Sequence, residues 1–412
     1  MLKQQGDGAV CREEVPVWRV PGMRPLLAST ALGFAGLSLL MPAAPLWALE
    51  GGADELGAGL VNTVLMLFTV IAQLLVGRIL GRLGWQRSLA LGSCLLGLPA
   101  LGHLVTSQAG AVMALAAVRG LGFGILTVCG ASGVAALVEP ARRGRAVGAY
   151  GLAIATPQCL LIPVAPWLAQ SVGFWLVFTC AAVPLLAIPL APRVARALHD
   201  SGDVSGAPVE ARDTSRLRRV LVGPIAALLV ITAAGGAILT FTPRLLSDSV
   251  AVYLALLAFT ATAALSRWGF GHVADRRGAA PAIAPLLFAG AAGLAVIGAG
   301  AAGGSGAAGP VLVVAGMFVV GVAYGGLQNL TLVQAFAAAG ERARSSVSVA
   351  WNVGFDAGTG LGAFAAGAVV TVSSYTVAYT ALAAVTAVVG ACWAAAWRRN
   401  RGAAGGGALR NP

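Results

Sequence analysis

Long uncharged apolar runs, each closed by a short cluster of basic or acidic residues, recur from residue 25 to residue 397. A helix rises about 1.5 Å per residue and bilayer hydrocarbon is about 30 Å thick, so about 20 apolar residues suffice to cross it. Twelve runs meet that length, at 25–48, 57–77, 88–105, 109–137, 147–168, 174–192, 220–242, 251–270, 281–299, 310–336, 347–370 and 376–397. The pattern predicts an all-α membrane protein of 12 transmembrane helices. The run after Arg24 is too long for a signal peptide, and eleven further spans follow it, so it reads as the first transmembrane helix.

Composition removes the soluble alternatives. The 412 residues are 58% hydrophobic and only 10% charged, with a mean hydropathy of +0.85, whereas a soluble globular chain carries about 25% charged residues. Six cysteines, most of them inside apolar runs (Cys94, Cys129, Cys159, Cys180, Cys392), have neither metal-ligand nor disulfide spacing, which argues against a metal site or redox chemistry. Gly298-Ala-Gly300-Ala-Ala-Gly303 matches a dinucleotide pattern, but it follows an apolar helix and not a strand. There is no Gly-Lys-Ser/Thr phosphate loop and no visible nucleophile and base pair. The reading is a chain that is not an enzyme, uses no cofactor and draws on an ion gradient.

The net charge of +12 reports topology and not nucleic-acid binding, because the basic residues are scattered between apolar runs. With a cytoplasmic amino terminus, all but two of the 27 basic residues fall on the cytoplasmic side, as the positive-inside rule requires. They comprise Lys3, Arg12, Arg19 and Arg24; Arg78, Arg82 and Arg87; Arg142, Arg143 and Arg145; Arg193, Arg196, Arg212, Arg216, Arg218 and Arg219; Arg267, Arg276 and Arg277; Arg342 and Arg344; and Arg398, Arg399, Arg401 and Arg410. Only Arg119 and Arg244 remain, and Glu50, Asp54, Glu55 and Asp248 mark the opposite face. The expectation is a multi-pass protein of the cell (plasma) membrane, embedded in the lipid bilayer with both termini cytoplasmic.

The stretch 193–219 is the one internal segment that reads as solvated, and it divides the spans six from six. The chain thus divides into a tail (1–23), a first half (24–192), a linker (193–219), a second half (220–398) and a second tail (399–412). Gly77-Arg78-Ile-Leu-Gly81-Arg82-Leu-Gly84 after the second span returns 194 residues later as Gly271-His-Val-Ala-Asp275-Arg276-Arg277-Gly278 after the eighth. Gly120-Leu-Gly-Phe-Gly124 is echoed by Gly321-Val-Ala-Tyr-Gly325, and the basic loop at Arg142 to Arg145 by that at Arg342 to Arg344. These echoes point to an internal duplication. Gly77 and Gly271 would let a neighbouring helix approach closely, and Asp275 could meet the positive end of a helix opposite, with Arg276 neutralising it. Gly81 stands where the first copy would carry its aspartate, so such a clamp would be lopsided. Plain topogenic anchoring is the alternative.

The Gly-x-x-x-Asp-Arg-x-Gly loop, twelve spans and the six-plus-six split resemble the major facilitator superfamily of secondary transporters, over roughly residues 24 to 398. Glu139-Pro-Ala-Arg142-Arg-Gly-Arg145 and Trp351-Asn-Val-Gly-Phe-Asp356-Ala-Gly look like its small bacterial efflux-type members. The resemblance implies two pseudo-symmetric six-helix halves around a central cavity that opens alternately to either side. It implies a monomer that moves a small-molecule substrate, with protons as coupling ion, by efflux antiport in the inner membrane. Thr156-Pro157 stands where efflux members often carry Gly-Pro. Uptake by proton symport, uncoupled passage, and a receptor or scaffold that moves nothing are the competing readings.

Two charges lie about ten residues deep in apolar spans. Arg119 in the fourth span costs about 3 kcal/mol at midplane on insertion scales, so it should face the bundle interior or water. Family members often carry a proton-coupling arginine there, ahead of a Gly-x-Gly pair; tying backbone carbonyls together is the structural alternative. Asp356, the only acidic residue in any span, forms a polar stripe with Ser348 and Asn352 on the eleventh span, beside a small-residue stripe of Gly354, Gly358 and Gly362. It reads as a proton site, a cation contact or a structural lock. Asn62, Gln158, Thr232, Thr240, Tyr324, Gln328, Asn329 and Asn352 are candidates for the cavity lining or for interhelical hydrogen bonds, with Thr331 and Gln334 beside them. His103 and His272 have no metal partner at ligand spacing.

The topology has a direct test. A cysteine replacing Asp203 should resist an impermeant maleimide applied outside intact cells, and one replacing Asp54 should react. Labelling at 203 would overturn the orientation.

Overall fold

A computed structural model describes residues 16–139, 142–200, 214–303, 308–339 and 344–407. The tail residues Lys3, Arg12 and Arg410 and the loop residues Asp203, Arg212 and Arg342 lie outside the described residues. Among those described there is no strand, and eleven helices are long and apolar enough to cross a membrane. They are α1 (Met23–Glu50), α2 (Glu55–Gly102), α3 (Ala109–Leu137), α4 (Arg143–Ser171), a broken run, α7 (Thr214–Leu245), α8 (Ser249–Arg277), α9 (Ala280–Ala302), α10 (Ala308–Ala339), α11 (Arg344–Val372) and α12 (Tyr375–Gly407). The broken run comprises α5 (Phe174–Ala181), a 3-10 turn (Val183–Leu190) and α6 (Ala191–Asp200). Pro184 and Pro189 lie in that turn, where the missing amide hydrogens interrupt the α ladder.

The second and third predicted spans both lie in the 48-residue range of α2, on either side of a non-helical residue, Gly84. At 1.5 Å per residue, a straight helix of that length would be about 70 Å long. It is not straight. Gly84 inside it has φ 71° and ψ 174°, a region open essentially to glycine alone. Both ends of the run lie beside the end of α1, because Trp47 Nε1 donates to the Thr106 carbonyl at 2.8 Å and Gly51 abuts Ser107. The chain therefore doubles back at Gly84. Gly278, at the same place in the second copy of the loop, ends α8 with φ 76° and ψ 161°.

The starts of these two helices also match. Asp54 accepts from the Gly57 amide and Asp248 from the Ala251 amide, each at 2.8 Å, a cap worth about 1 kcal/mol. Asp54 and Asp248 are separated by the same 194 residues as Gly84 and Gly278. Cap, helix and turn repeat together.

Packing runs mostly within α1–α6 and within α7–α12, and α2 on α11, α4 on α8 and α1 on α7 join the two groups. The α11 glycine stripe packs as expected on α7: Gly358 lies against Thr232 and Leu229, and Gly362 against the Ala233 backbone. Gly84→Ala and Gly278→Ala should each lower the unfolding midpoint, since their backbone costs a side chain about 1–3 kcal/mol. Gly110→Ala, on α3 with open space around it, should not. Equal midpoints for all three would remove the turn argument.

Candidate functional site at the helix seam

The end carrying Glu50, Asp54, Glu55 and Asp248 is here the acidic end, and that carrying Arg78, Arg82, Arg276 and Arg277 the basic end. From the acidic end, α2 and α11 are joined step by step. Gly367 admits the Glu55 carbonyl, with 2.6 Å left for a Cβ, and the Leu56 amide donates to Thr371 Oγ1 at 3.1 Å. Gly59 lies against the Ala363 carbonyl. Thr63 Oγ1 then lies 2.9 Å from the Gly360 carbonyl, its one proton shared with the Gly59 carbonyl of its own helix at 2.8 Å. Arg244 on α7 lies 3.9 Å from Glu55, and Asn62 Nδ2 donates to Thr240 Oγ1 and to the Met41 carbonyl, each at 2.9 Å. Asn62 and Thr240 thus bind each other between helices, while Thr232 bonds back to its own helix beneath Gly358.

The last step of this seam is Gln73 Nε2 donating to Asp356 Oδ2 at 2.7 Å. Both side chains are buried, Asp356 at 4% exposure. Toward the basic end the helices part. Gly77, Gly81 and Gly84 on α2, Gly148 and Gly151 on α4, and Gly269 and Gly278 on α8 have open space where a Cβ would stand, and Gly271 would meet only Asn329, at 3.4 Å. Gly77 and Gly271, expected at close helix approaches, stand at an open seam in this state. Asp275 is exposed and forms no ion pair among the described residues, and Arg78, Arg82, Gly84, Arg276 and Gly278 are exposed with it.

Polar side chains on α8, α10 and α11 lie one or two turns to the basic side of Asp356. Tyr324 on α10 lies within electrostatic reach of both Asp356 and Arg267, and its ring packs on Phe259 and Phe355 at centroid distances of 5.0 and 6.2 Å. One turn along, Gln328 Oε1 accepts from Arg267 Nη1 at 3.1 Å, and Asn329 Nδ2 donates to the Arg267 carbonyl at 3.1 Å. Asn352 Nδ2 donates to its own helix at the Ser348 carbonyl. Trp351 Nε1 reaches Thr331 Oγ1 at 3.1 Å, and its ring stacks on Phe355 at 5.6 Å. Gln158 on α4 is half-buried.

Arg119 is elsewhere. It is 1% exposed inside the first group of helices, one turn from Phe123, whose ring meets Phe34. None of its three guanidinium nitrogens has a hydrogen-bond partner among the described residues, and it forms no ion pair with Asp356. Equal depth did not mean contact. His103 is also fully buried, its Nδ1 3.0 Å from the Pro99 carbonyl and its ring against Phe178.

Two site residues escaped the sequence reading. Gln73 was legible, since Asn62, Thr69 and Gln73 follow at intervals of seven and four and so share a face. By sequence Arg267 belongs with the basic loop after the eighth span, whereas α8 continues to Arg277. That places Arg267 about 15 Å from the helix end.

The chain matches the family model described as Major Facilitator Superfamily over residues 26–352. No curated protein matches it by sequence. Among solved structures it is similar to the peptide transporter POT in complex with sulfate, with a TM-score of 0.73 and 17% identity over 92% of this chain and 95% of that one. It is also similar to the xylose transporter XylE from E. coli in a partially occluded inward-open conformation (0.66, 15%, 89% and 96%) and to the nucleoside transporter NupG (0.65, 14%, 91% and 98%).

Removing the last donor of the seam tests its weight. Gln73→Leu should loosen it by about 1–3 kcal/mol, the range for leaving a buried polar group unpaired. Reaction of a cysteine at Thr63 with an impermeant maleimide should then rise severalfold. An unchanged rate would mean that the Gln73 contact contributes nothing to closure.

Proposed function

Since the chain belongs to the Major Facilitator Superfamily, we propose that it is a proton-coupled secondary transporter of a small molecule, working by alternating access. The observation that carries the reading is the position of Asp356: a buried carboxyl on the last rung of a closed seam, at the head of an opening toward the other end. A group so placed exchanges its surroundings whenever the seam opens or closes, and only such differential contact lets proton binding and conformation drive each other.

In this reading the fold at Gly84 makes α2 two crossings, for twelve in all, arranged as two six-helix halves divided near 193–219. The positive-inside rule assigns the basic end and both termini to the cytoplasm of a cell-membrane protein, so the state described is inward-open. Gly77, Arg78, Arg82, Gly84, Gly271, Asp275, Arg276 and Gly278 then form the cytoplasmic gate, disengaged here, with Asp275 free to find its partner when the basic ends meet. Tyr324, Gln328, Asn329, Asn352 and Gln158 supply polar groups for a substrate. Asn62, Thr232 and Thr240 serve closure and helix packing, and Arg119 supports the first half internally. Efflux by antiport is the direction favoured by the likeness to efflux-type members. Uptake by symport is the second reading, favoured by a cationic side chain, Arg267, beside the same opening.

Asp356→Asn keeps the Gln73 contact sterically possible but removes the proton site. In proteoliposomes it should abolish accumulation driven by a pH gradient while sparing substrate exchange. Full pH-driven accumulation by Asp356→Asn would make the carboxyl structural and remove the coupling role.

A further inference from the structure

Gln73 and Arg267 are separated by 194 residues, the spacing that also relates Asp54 to Asp248, Gly77 to Gly271 and Gly84 to Gly278. They are therefore the same position in two copies of one helix, four residues before the first glycine of the loop. Each copy packs across the seam, α2 on α11 and α8 on α4. On the first side, Gln73 finds a carboxyl, Asp356, on the opposing helix. On the second, the opposing helix α4 contains no acidic residue at all.

Among the described residues the Arg267 side chain makes one hydrogen bond, from Nη1 to the neutral Gln328 Oε1, although a guanidinium carries five donors. It forms no ion pair among the described residues, and its backbone is fixed by Asn329. Unlike the sealed Arg119, it is half-buried, on the helix wall that opens toward the basic end. An ionisable side chain inside a span, without a counter-ion among the described residues and on the wall of an opening, is placed to meet a substrate or an ion.

We infer that Arg267 recognises a carboxylate carried by the transported molecule, which supplies to α8 the acidic partner that α4 lacks. The planar fork of one guanidinium matches one carboxylate through two parallel hydrogen bonds. A carboxylate is also what meets the matching position of the other copy, where Gln73 binds Asp356, and phosphate, onto which a guanidinium can fork as well, is the competing anion in the test. The rings of Tyr324, Phe355 and Trp351 nearby suit an apolar body behind the carboxylate. The substrate class is thus a small organic monocarboxylate. This inference rests on the transporter reading above.

The test uses the purified full chain and three probes: benzoate, its neutral isostere benzamide, and inorganic phosphate. Benzoate should bind and raise the unfolding midpoint, and the other two should bind at least tenfold more weakly. Arg267→Gln should weaken benzoate at least tenfold, and Arg267→Lys should fall between. The wild-type comparison needs no variant, so it stands even if Arg267→Gln does not fold. Equal binding of benzoate and benzamide, tighter binding of phosphate, no binding of benzoate, or full binding by Arg267→Gln would each overturn the inference. Reactivity of a cysteine at Gly77, compared between native and Asp356→Asn protein, reads the opening without any ligand. A response there with no benzoate binding sinks the carboxylate and leaves the transporter reading intact.

Discussion

One hydrogen bond, from the Gln73 amide to the Asp356 carboxyl, sits where two packed surfaces stop touching. Between α2 and α11, the side toward the acidic end is closed by small residues and backbone carbonyls, and toward the basic end the seam glycines stand in open space. In lipid the usual hydrophobic drive toward closure is weak, because hydrocarbon solvates an apolar helix as well as another helix does. Closure therefore depends on close backbone approach and on a few polar contacts. The Gly59, Gly360 and Gly367 approaches supply the first, and Asn62–Thr240, Thr63–Gly360 and Gln73–Asp356 supply the second.

That division of labour explains what the sequence made legible. Apolar runs found nearly every helix, because bilayer thickness sets their length independently of tertiary contacts. The glycine stripe on α11 found its packing face, because a 3.6-residue period maps directly onto geometry. The second and third spans run together as α2 because the reversal between them at Gly84 takes a single non-helical residue. Partner choice was less legible still. Arg119 and Asp356 share a depth but face different interiors, and nothing in either span's periodicity fixes its rotation relative to a helix more than 200 residues away.

The charges separate by what surrounds them. Arg244 and Glu55 meet at a half-exposed end, where an ion pair contributes about 0–1 kcal/mol and can be broken readily. Asp356 is buried with a single amide donor, an arrangement in which each change of neighbour alters the balance between its two protonation states. Arg119 is sealed and unpaired, so its burden falls on the fold and not on the opening. Depth alone did not sort these roles. Access did, and access is set by where the seam ends.

The two loops, 194 residues apart, share a backbone frame but not its charges. The acidic residue is present at Asp275 and absent at Gly81, so the charge chemistry of the two copies has diverged. The turn has not: Gly84 and Gly278 share a backbone conformation that side chains resist, and Asp54 and Asp248 cap the helices that lead to them. Cap and turn together fix the length and rotation of each helix, and hence which residue arrives at the seam. With the backbone frame held constant, one copy could place an amide against a carboxyl while the other placed a guanidinium against a helix without one.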